Sequence, residues 1–127
     1  DHDFSTGSYR QVGDRNWLLS TADMRWFWDQ YCPAGVDRDN PEISPLRLAD
    51  LRGLPPAMVL VGELDPLRDE GWSYATRLAA AGVAVTARCD AGMVHGYLGA
   101  AGAVPTAASA MQSSASWIRG QVDPLTR

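Results

Sequence analysis

Apolar residues recur at helical spacing in three segments of the chain, and each segment is bounded by residues that begin or end helices. The first follows a capping pair, Ser20 and Asp23, and ends before Pro33 and Gly35. Its apolar face comprises Met24, Phe27, Trp28 and Tyr31. The second begins at Asp65-Pro66, has the acidic residues Asp69 and Glu70 in its first turn, and ends at Gly82. Its expected buried face comprises Trp72, Ala75, Leu78 and Ala79. The third covers roughly Thr106 to Arg119, ends at Gly120, and is expected to turn Ala108, Met111, Ala115 and Ile118 inward.

Two other segments have the patterns of strands. Residues 57–61 form a continuous apolar run, which is typical of a parallel strand covered on both sides. From Val83 to Cys89 apolar residues alternate with Ala84, Thr86 and Arg88, and a turn is expected at Ala91-Gly92. A strand, a helix and a second strand with connections of this length predict a parallel βαβ unit. The first 19 residues and the proline-rich stretch from Arg38 to Pro56 are expected to be loops.

The fold class is therefore α/β, with parallel strands and flanking helices. Two parallel strands alone leave sheet edges and much of both faces uncovered. We therefore expect residues 1–127 to form part of a larger sheet.

Composition excludes several classes of protein. With 127 residues the chain amounts to at most one domain, and 46% hydrophobic residues suffice for a core. Eleven Lys and Arg against 15 Asp and Glu give a net charge of −4, so no nucleic-acid partner is expected. No apolar stretch is long enough to predict a membrane span.

The two cysteines, Cys32 and Cys89, do not make a disulfide scaffold and are expected to be reduced core thiols in a cytoplasmic protein. The chain begins with Asp1 and shows no charged-then-apolar leader, so we expect a processed or truncated chain without a signal peptide.

Two residues follow the predicted strands where catalytic groups gather in open α/β sheets. Asp65 comes after the first strand and His95 after the second, and loops leaving adjacent parallel strands can touch. Asp65 can then orient the imidazole of His95, leaving the other ring nitrogen as a general base. Each residue also has a plain structural interpretation, because Asp before Pro is a common helix cap and His beside Gly is a common turn residue.

A set of short motifs stands out along the chain: Pro41-Glu42-Ile43-Ser44-Pro45-Leu46, Gly53-Leu54-Pro55-Pro56, Asp65-Pro66-Leu67-Arg68-Asp69-Glu70-Gly71, Tyr74-Ala75, Arg77-Leu78, Gly82-Val83 and His95-Gly96-Tyr97. Together they resemble the C-terminal part of the hormone-sensitive-lipase-like carboxylesterases, which are serine hydrolases of the α/β-hydrolase fold. The helix with Met24-Arg25-Trp26-Phe27-Trp28 is similar to one in that family, and the resemblance extends from about Phe4 to Ile118.

The resemblance implies that Asp65 is the acid and His95 the base of a Ser-His-Asp triad. Tyr97 stands where the family usually has Phe, and Asp69 and Glu70 match positions with structural roles. The family's G-x-S-x-G elbow and its His-Gly-Gly-Gly type oxyanion motif are both absent from these 127 residues. Ser5, Ser8, Ser20 and Ser44 precede Asp65 without an elbow context, and Ser44 matches a structural position.

The function expected from the resemblance is hydrolysis of small acyl esters in the parent enzyme, with this chain as the C-terminal portion and an N-terminal chain supplying the serine. The alternative is a non-catalytic α/β fragment that associates with itself or a partner through its open sheet edges. Another α/β hydrolase, such as a thioesterase or peptidase, also fits the sequence.

The remaining candidate residues give weaker signals. No cofactor is predicted, because nucleotide-binding glycine motifs are absent, and two His and two Cys show no metal-ligand spacing. His2 is expected to be solvated. Trp26 and Trp28 either line an acyl pocket or pack in the interior, with Trp28 in the core and Trp26 against a neighbouring element.

Overall fold

A computed structural model describes residues 1–15 and 17–122. Within them the helices and strands follow in the order α1 (Gly7–Val12), α2 (Thr21–Tyr31), β1 (Ala57–Leu64), α3 (Arg68–Ala80), β2 (Val85–Val94) and α4 (Pro105–Val122). Two short 3₁₀ helices, Pro45–Arg47 and Tyr97–Ala100, lie before β1 and after β2. The α/β class is confirmed.

The centre of the fold is the expected βαβ unit. Strands β1 and β2 pair in parallel from Ala57 with Val85 to Gly62 with Asp90, and α3 packs against both. Leu51, Leu78 and Val83 are buried together between the helix and the sheet. A Cβ at Gly71 would lie 2.5 Å from Val61 Cγ1, so the helix approaches the strand at this glycine.

A second cluster joins α4 to the segment that follows β2. Here Tyr97 packs with Ala107 and Ala110. The predicted inward face of α4 is wrong: Met111 and Ile118 are 45% and 55% exposed. The helix is rotated so that two small side chains three residues apart face the bulky tyrosine ring. It also continues through Gly120 to Val122.

Helix α2 begins as predicted, but its apolar face is largely uncovered. The Ser20 side chain and the Asp23 carboxylate form the reciprocal capping box. Of the predicted face, Trp28 is buried, whereas Phe27 and Tyr31 are 50% and 66% exposed. Amphipathic spacing shows which side of a helix is apolar; among the described residues nothing packs over most of that side.

Several other local predictions are wrong in detail. The predicted N-terminal loop, apart from Asn16, which lies outside the described residues, contains α1, whose N-cap is Thr6. Helix α3 starts at Arg68 rather than at Pro66, and Trp72 and Ala79 are exposed on it. The expected turn at Ala91-Gly92 lies within β2. Of the apolar run 57–61, only Val61 is buried, because the two-stranded sheet is incompletely covered.

The cysteines differ from each other. Cys32 is buried, as expected, but Cys89 is exposed on β2, which contradicts the prediction of a core thiol. Among the described residues, no helix combines the length and the apolar character needed to cross a membrane.

Candidate active site

Asp65 and His95 lie in direct contact at the carboxyl ends of the two strands. Asp65 Oδ2 is 2.9 Å from His95 Nδ1. The aspartate is 7% exposed, whereas 44% of the histidine side chain is accessible. A buried acid therefore holds a histidine whose ring reaches solvent.

The two oxygens of the Asp65 carboxylate have separate partners. Oδ1 accepts the backbone N–H of Leu67 at 2.8 Å, while Oδ2 faces the imidazole. The N-cap of α3 is Leu67, and no side-chain hydrogen bond caps that helix. Asp65 thus closes a turn ahead of the helix and orients His95 at the same time, so its structural and its site interpretation coexist.

A change of register in the sheet brings these residues together. Up to Gly62 with Asp90 the paired residues are 28 apart in number, but Leu64 pairs with Val94, which is 30 apart. With the earlier offset, Asp65 would face Met93. The two extra residues on β2 place His95 beside Asp65 instead.

Two features of the neighbouring residues accommodate this irregular pairing. A Cβ at Gly62 would lie 2.4 Å from the Met93 carbonyl oxygen, so the close approach requires glycine. The Glu63 carboxylate accepts the N–H of Gly92 at 2.7 Å, and Gly92 has a positive φ of 70°. Gly62 and Glu63 belong to no sequence motif that would predict these contacts.

The contact with Asp65 affects the pKa of His95. The hydrogen bond to Asp65 raises the pKa of His95 above its ordinary value, and this effect outweighs the opposing effect of burial. Within residues 1–15 and 17–122, nothing hydrogen-bonds Nε2 of the ring. A base with Nδ1 held by a carboxylate and Nε2 accessible can accept a proton from a nucleophile.

Ser8 anchors the segment between Asp65 and α3. Its Oγ donates to the Pro66 carbonyl at 2.6 Å, and its N–H donates to Asp69 Oδ2 at 2.7 Å. Ser8 is fully buried, as is Ser44, whose Oγ donates to the Arg38 carbonyl. The role of Ser8 is not predictable from the sequence, because a single serine in an expected loop gives no signal of a contact 58 residues away.

An open cleft of about 630 Å³ adjoins the pair. Besides Asp65 and His95, its lining is mainly apolar and comes chiefly from α2, the 3₁₀ helix Pro45–Arg47, β1 and α3: Met24, Phe27, Trp28, Tyr31, Pro45, Leu46, Val59, Leu60, Val61, Leu67, Gly71 and Tyr74, together with Asp1 and Glu70. Burial raises the pKa of Glu70. Trp28 lines the cleft, whereas Trp26 is 58% exposed and packs its ring edge-on against Phe27.

The other polar candidates lie away from the pair. His2 contacts Asp39 through Nε2 at 2.8 Å and stacks edge-on against Trp28, so it is partly buried rather than simply solvated. In the described part of the chain, no group of three or more His, Cys, Asp or Glu is arranged to hold a metal ion.

Comparison with known proteins gives the family. The sequence profile of a family that is described as having the α/β-hydrolase fold matches residues 2–99. The chain belongs to the α/β-hydrolase family. It is 48% identical over 112 residues to carboxylesterase NlhH of Mycobacterium tuberculosis, a match that covers 85% of this chain and 34% of that protein. It is 44% identical over 96 residues to carboxylic ester hydrolase LipN of the same organism, covering 73% of this chain and 26% of LipN.

Solved structures of α/β hydrolases agree with this assignment. The chain superposes on a thermophilic, thermostable carboxylesterase cloned from a metagenomic library with a TM-score of 0.86 and 38% identity, over 91% of this chain and 40% of that one. The resemblance to carboxylesterases found in the sequence is thereby confirmed. The chain spans about a quarter to a third of the length of these curated relatives.

Proposed function

We propose that Asp65 and His95 are the acid and the base of a Ser-His-Asp triad that hydrolyses carboxylic esters. The observation that carries this proposal is the 2.9 Å contact between a buried carboxylate and the Nδ1 of a histidine whose ring remains accessible. Support comes from the ester hydrolases to which the chain is similar.

The proposed reaction is acyl transfer in two halves. His95 Nε2 takes the proton of a serine hydroxyl as the serine oxygen attacks the ester carbonyl, and Asp65 stabilises the resulting imidazolium. The imidazolium then gives this proton to the departing alcohol as the acyl-enzyme forms. In the second half His95 takes a proton from water, whose oxygen attacks the acyl carbon, and returns that proton to the serine as the acid leaves.

We further propose that residues 1–127 act as the C-terminal portion of the catalytic domain and that the serine and the oxyanion donors come from outside them. No G-x-S-x-G occurs in the sequence. The uncovered side of α2, with Phe27 and Tyr31, borders the cleft beside His95. This is where a complementary portion that brings a serine to Nε2 would pack.

The test is a chimaera in which this chain replaces the matched residues of NlhH. The chimaera is expected to hydrolyse p-nitrophenyl acetate and butyrate, whereas the 127-residue chain alone is expected to cleave them no faster than free histidine does. Turnover by the chain alone that disappears in His95→Ala would show that a nucleophile lies within these residues, contrary to the proposal.

A second candidate function is a non-catalytic module that pairs with itself or with a partner chain. The observation in its favour is the two-stranded sheet of the described residues, in which β1 and β2 each have a single neighbour. Sedimentation of the 127-residue chain and the activity of the chimaera together distinguish the two. A tight dimer, combined with an inactive chimaera, would favour the module over the triad.

A further inference from the structure

The loop that carries His95 is closed by a buried hydrogen bond between side chains on either side of it. Tyr97, two residues after His95, is 8% exposed, and its hydroxyl donates to Asp90 Oδ2. Asp90 is 7% exposed and lies on β2 before the register change. Its other oxygen, Oδ1, accepts from Arg88 Nε at 2.6 Å.

The protonation states of Asp90 and Tyr97 favour the hydrogen bond between them. Burial disfavours the Asp90 carboxylate, but hydrogen bonds from Arg88 and Tyr97 outweigh burial and hold the pKa of Asp90 below its usual value. Burial and the neighbouring carboxylate raise the pKa of Tyr97. The donor therefore stays protonated and the acceptor stays charged throughout the pH range in which a histidine titrates.

The geometry of the loop links this contact to His95. On one side, Val94 is fixed by its pairing with Leu64. On the other, Gly96 turns the chain with a φ of 70°, and Tyr97 is held both by Asp90 and by packing against Ala107 and Ala110. His95 lies between these two fixed points.

We propose that the Tyr97 hydroxyl, acting through Asp90, is a positioning group that holds the His95 imidazole against Asp65. The inference rests on the proposed function, because it assigns a further residue to the same acid–base pair. The resemblance places Phe at this position in related esterases, and a Phe ring supplies the packing against α4 without the hydroxyl. The hydrogen bond to Asp90 would thus be a feature of this chain that ring packing alone does not provide.

The test is the NMR titration of the His95 ring in the 127-residue chain and in Tyr97→Phe. Loss of the hydroxyl is expected to loosen the loop and weaken the bond to Asp65, so the pKa of His95 falls toward its ordinary value. Thr86→Val is the matched control, because Thr86 is an exposed hydroxyl residue on the same strand, outside this group and outside the cleft, and it should leave the titration unchanged. A folded Tyr97→Phe variant with the wild-type titration would overturn the inference.

A second variant keeps the test decisive if Tyr97→Phe alone unfolds. Tyr97→Phe combined with Asp90→Leu removes the donor and the buried carboxylate together, while the partly exposed Arg88 side chain can turn to solvent, and it should give the same fall in the pKa of His95. Asp65→Asn separates the inference from the proposed function. If Asp65→Asn leaves the His95 pKa unchanged, the acid–base pair itself is wrong; if only the Tyr97 variants do so, the positioning role alone is wrong.

Discussion

The carbonyl group of Met93 passes so close to Gly62 that a Cβ on residue 62 would lie 2.4 Å from the oxygen. This approach accompanies the change in pairing offset from 28 to 30 residues between β1 and β2. Because Leu64 then pairs with Val94, the first residue after each strand is a member of the Asp65–His95 pair. A backbone feature thus determines which side chain the buried aspartate contacts.

Gly62→Ala should destabilise the protein and disturb the pair. The added methyl group cannot be accommodated against backbone atoms, so we expect a loss of about 1–3 kcal/mol in the free energy of unfolding. Gly120→Ala is the matched control: a methyl group at this position of α4 would have no atom within 4 Å, and alanine favours helix, so stability should stay equal or rise by up to about 1 kcal/mol. Urea unfolding of both variants measures these free energies. Equal values for the two variants would contradict the close approach of Gly62 to the Met93 carbonyl.

The stability contributed by His95 should depend on pH in a defined direction. Because the pKa of His95 is raised above its usual 6.5 by Asp65, protonated His95 stabilises the fold below the unfolded pKa, and this contribution is lost as pH rises through the folded pKa. The difference in unfolding free energy between wild type and His95→Gln should therefore be largest in mild acid and shrink toward alkaline pH. In an Asp65→Asn background the same substitution should show no such trend, and a flat difference in the wild-type background would refute the ion pair.

Ser8→Ala tests the anchor of the segment between Asp65 and α3. The Pro66 carbonyl would lose its buried donor, and we expect a cost of about 1–3 kcal/mol in unfolding free energy. Ser73→Ala is a suitable control, because Ser73 is exposed on α3 and should be near neutral. Thermal or urea unfolding decides the matter: equal effects of the two substitutions would show that Ser8 is not an anchor.

The two thiols should react at different rates with a disulfide reagent such as Ellman's reagent. Cys89 is exposed, although partial burial raises its pKa, so it should react in the folded chain and faster as pH rises. Cys32 is 1% exposed and should react only after unfolding. Rapid reaction of both thiols, or of neither, in the folded chain would contradict the burial of Cys32 and the exposure of Cys89.

The sequence predicted those features that depend on local pattern or on strand order. The capping box of α2 follows from the spacing of Ser20 and Asp23, and the proximity of Asp65 to His95 follows from parallel strands whose carboxyl ends share one edge. The first rests on the local preference of Ser and Asp for a helix start, and the second on the order and direction of the strands.

Other features depend on contacts that a single sequence does not display. The exposure of Phe27 and Tyr31 depends on what covers α2, and the face that α4 buries depends on where the ring of Tyr97 lies. The offset at Gly62 arises from backbone crowding between two strands, which a periodic pattern cannot reveal. The prediction of a core position for Cys89 equates strand alternation with burial, whereas this sheet is covered only in part.

The proposed acid–base role of Asp65 and His95 in ester hydrolysis is tested most directly by kcat/KM of the NlhH chimaera for p-nitrophenyl butyrate. His95→Ala should lower kcat/KM by about 10³-fold or more, and Asp65→Asn should also cause a large loss, because each removes part of one catalytic unit. The control Asp50→Asn, at an exposed residue outside the cleft, should stay within about threefold of the unsubstituted chimaera. An active chimaera that keeps its kcat/KM in a folded His95→Ala variant would contradict the claim.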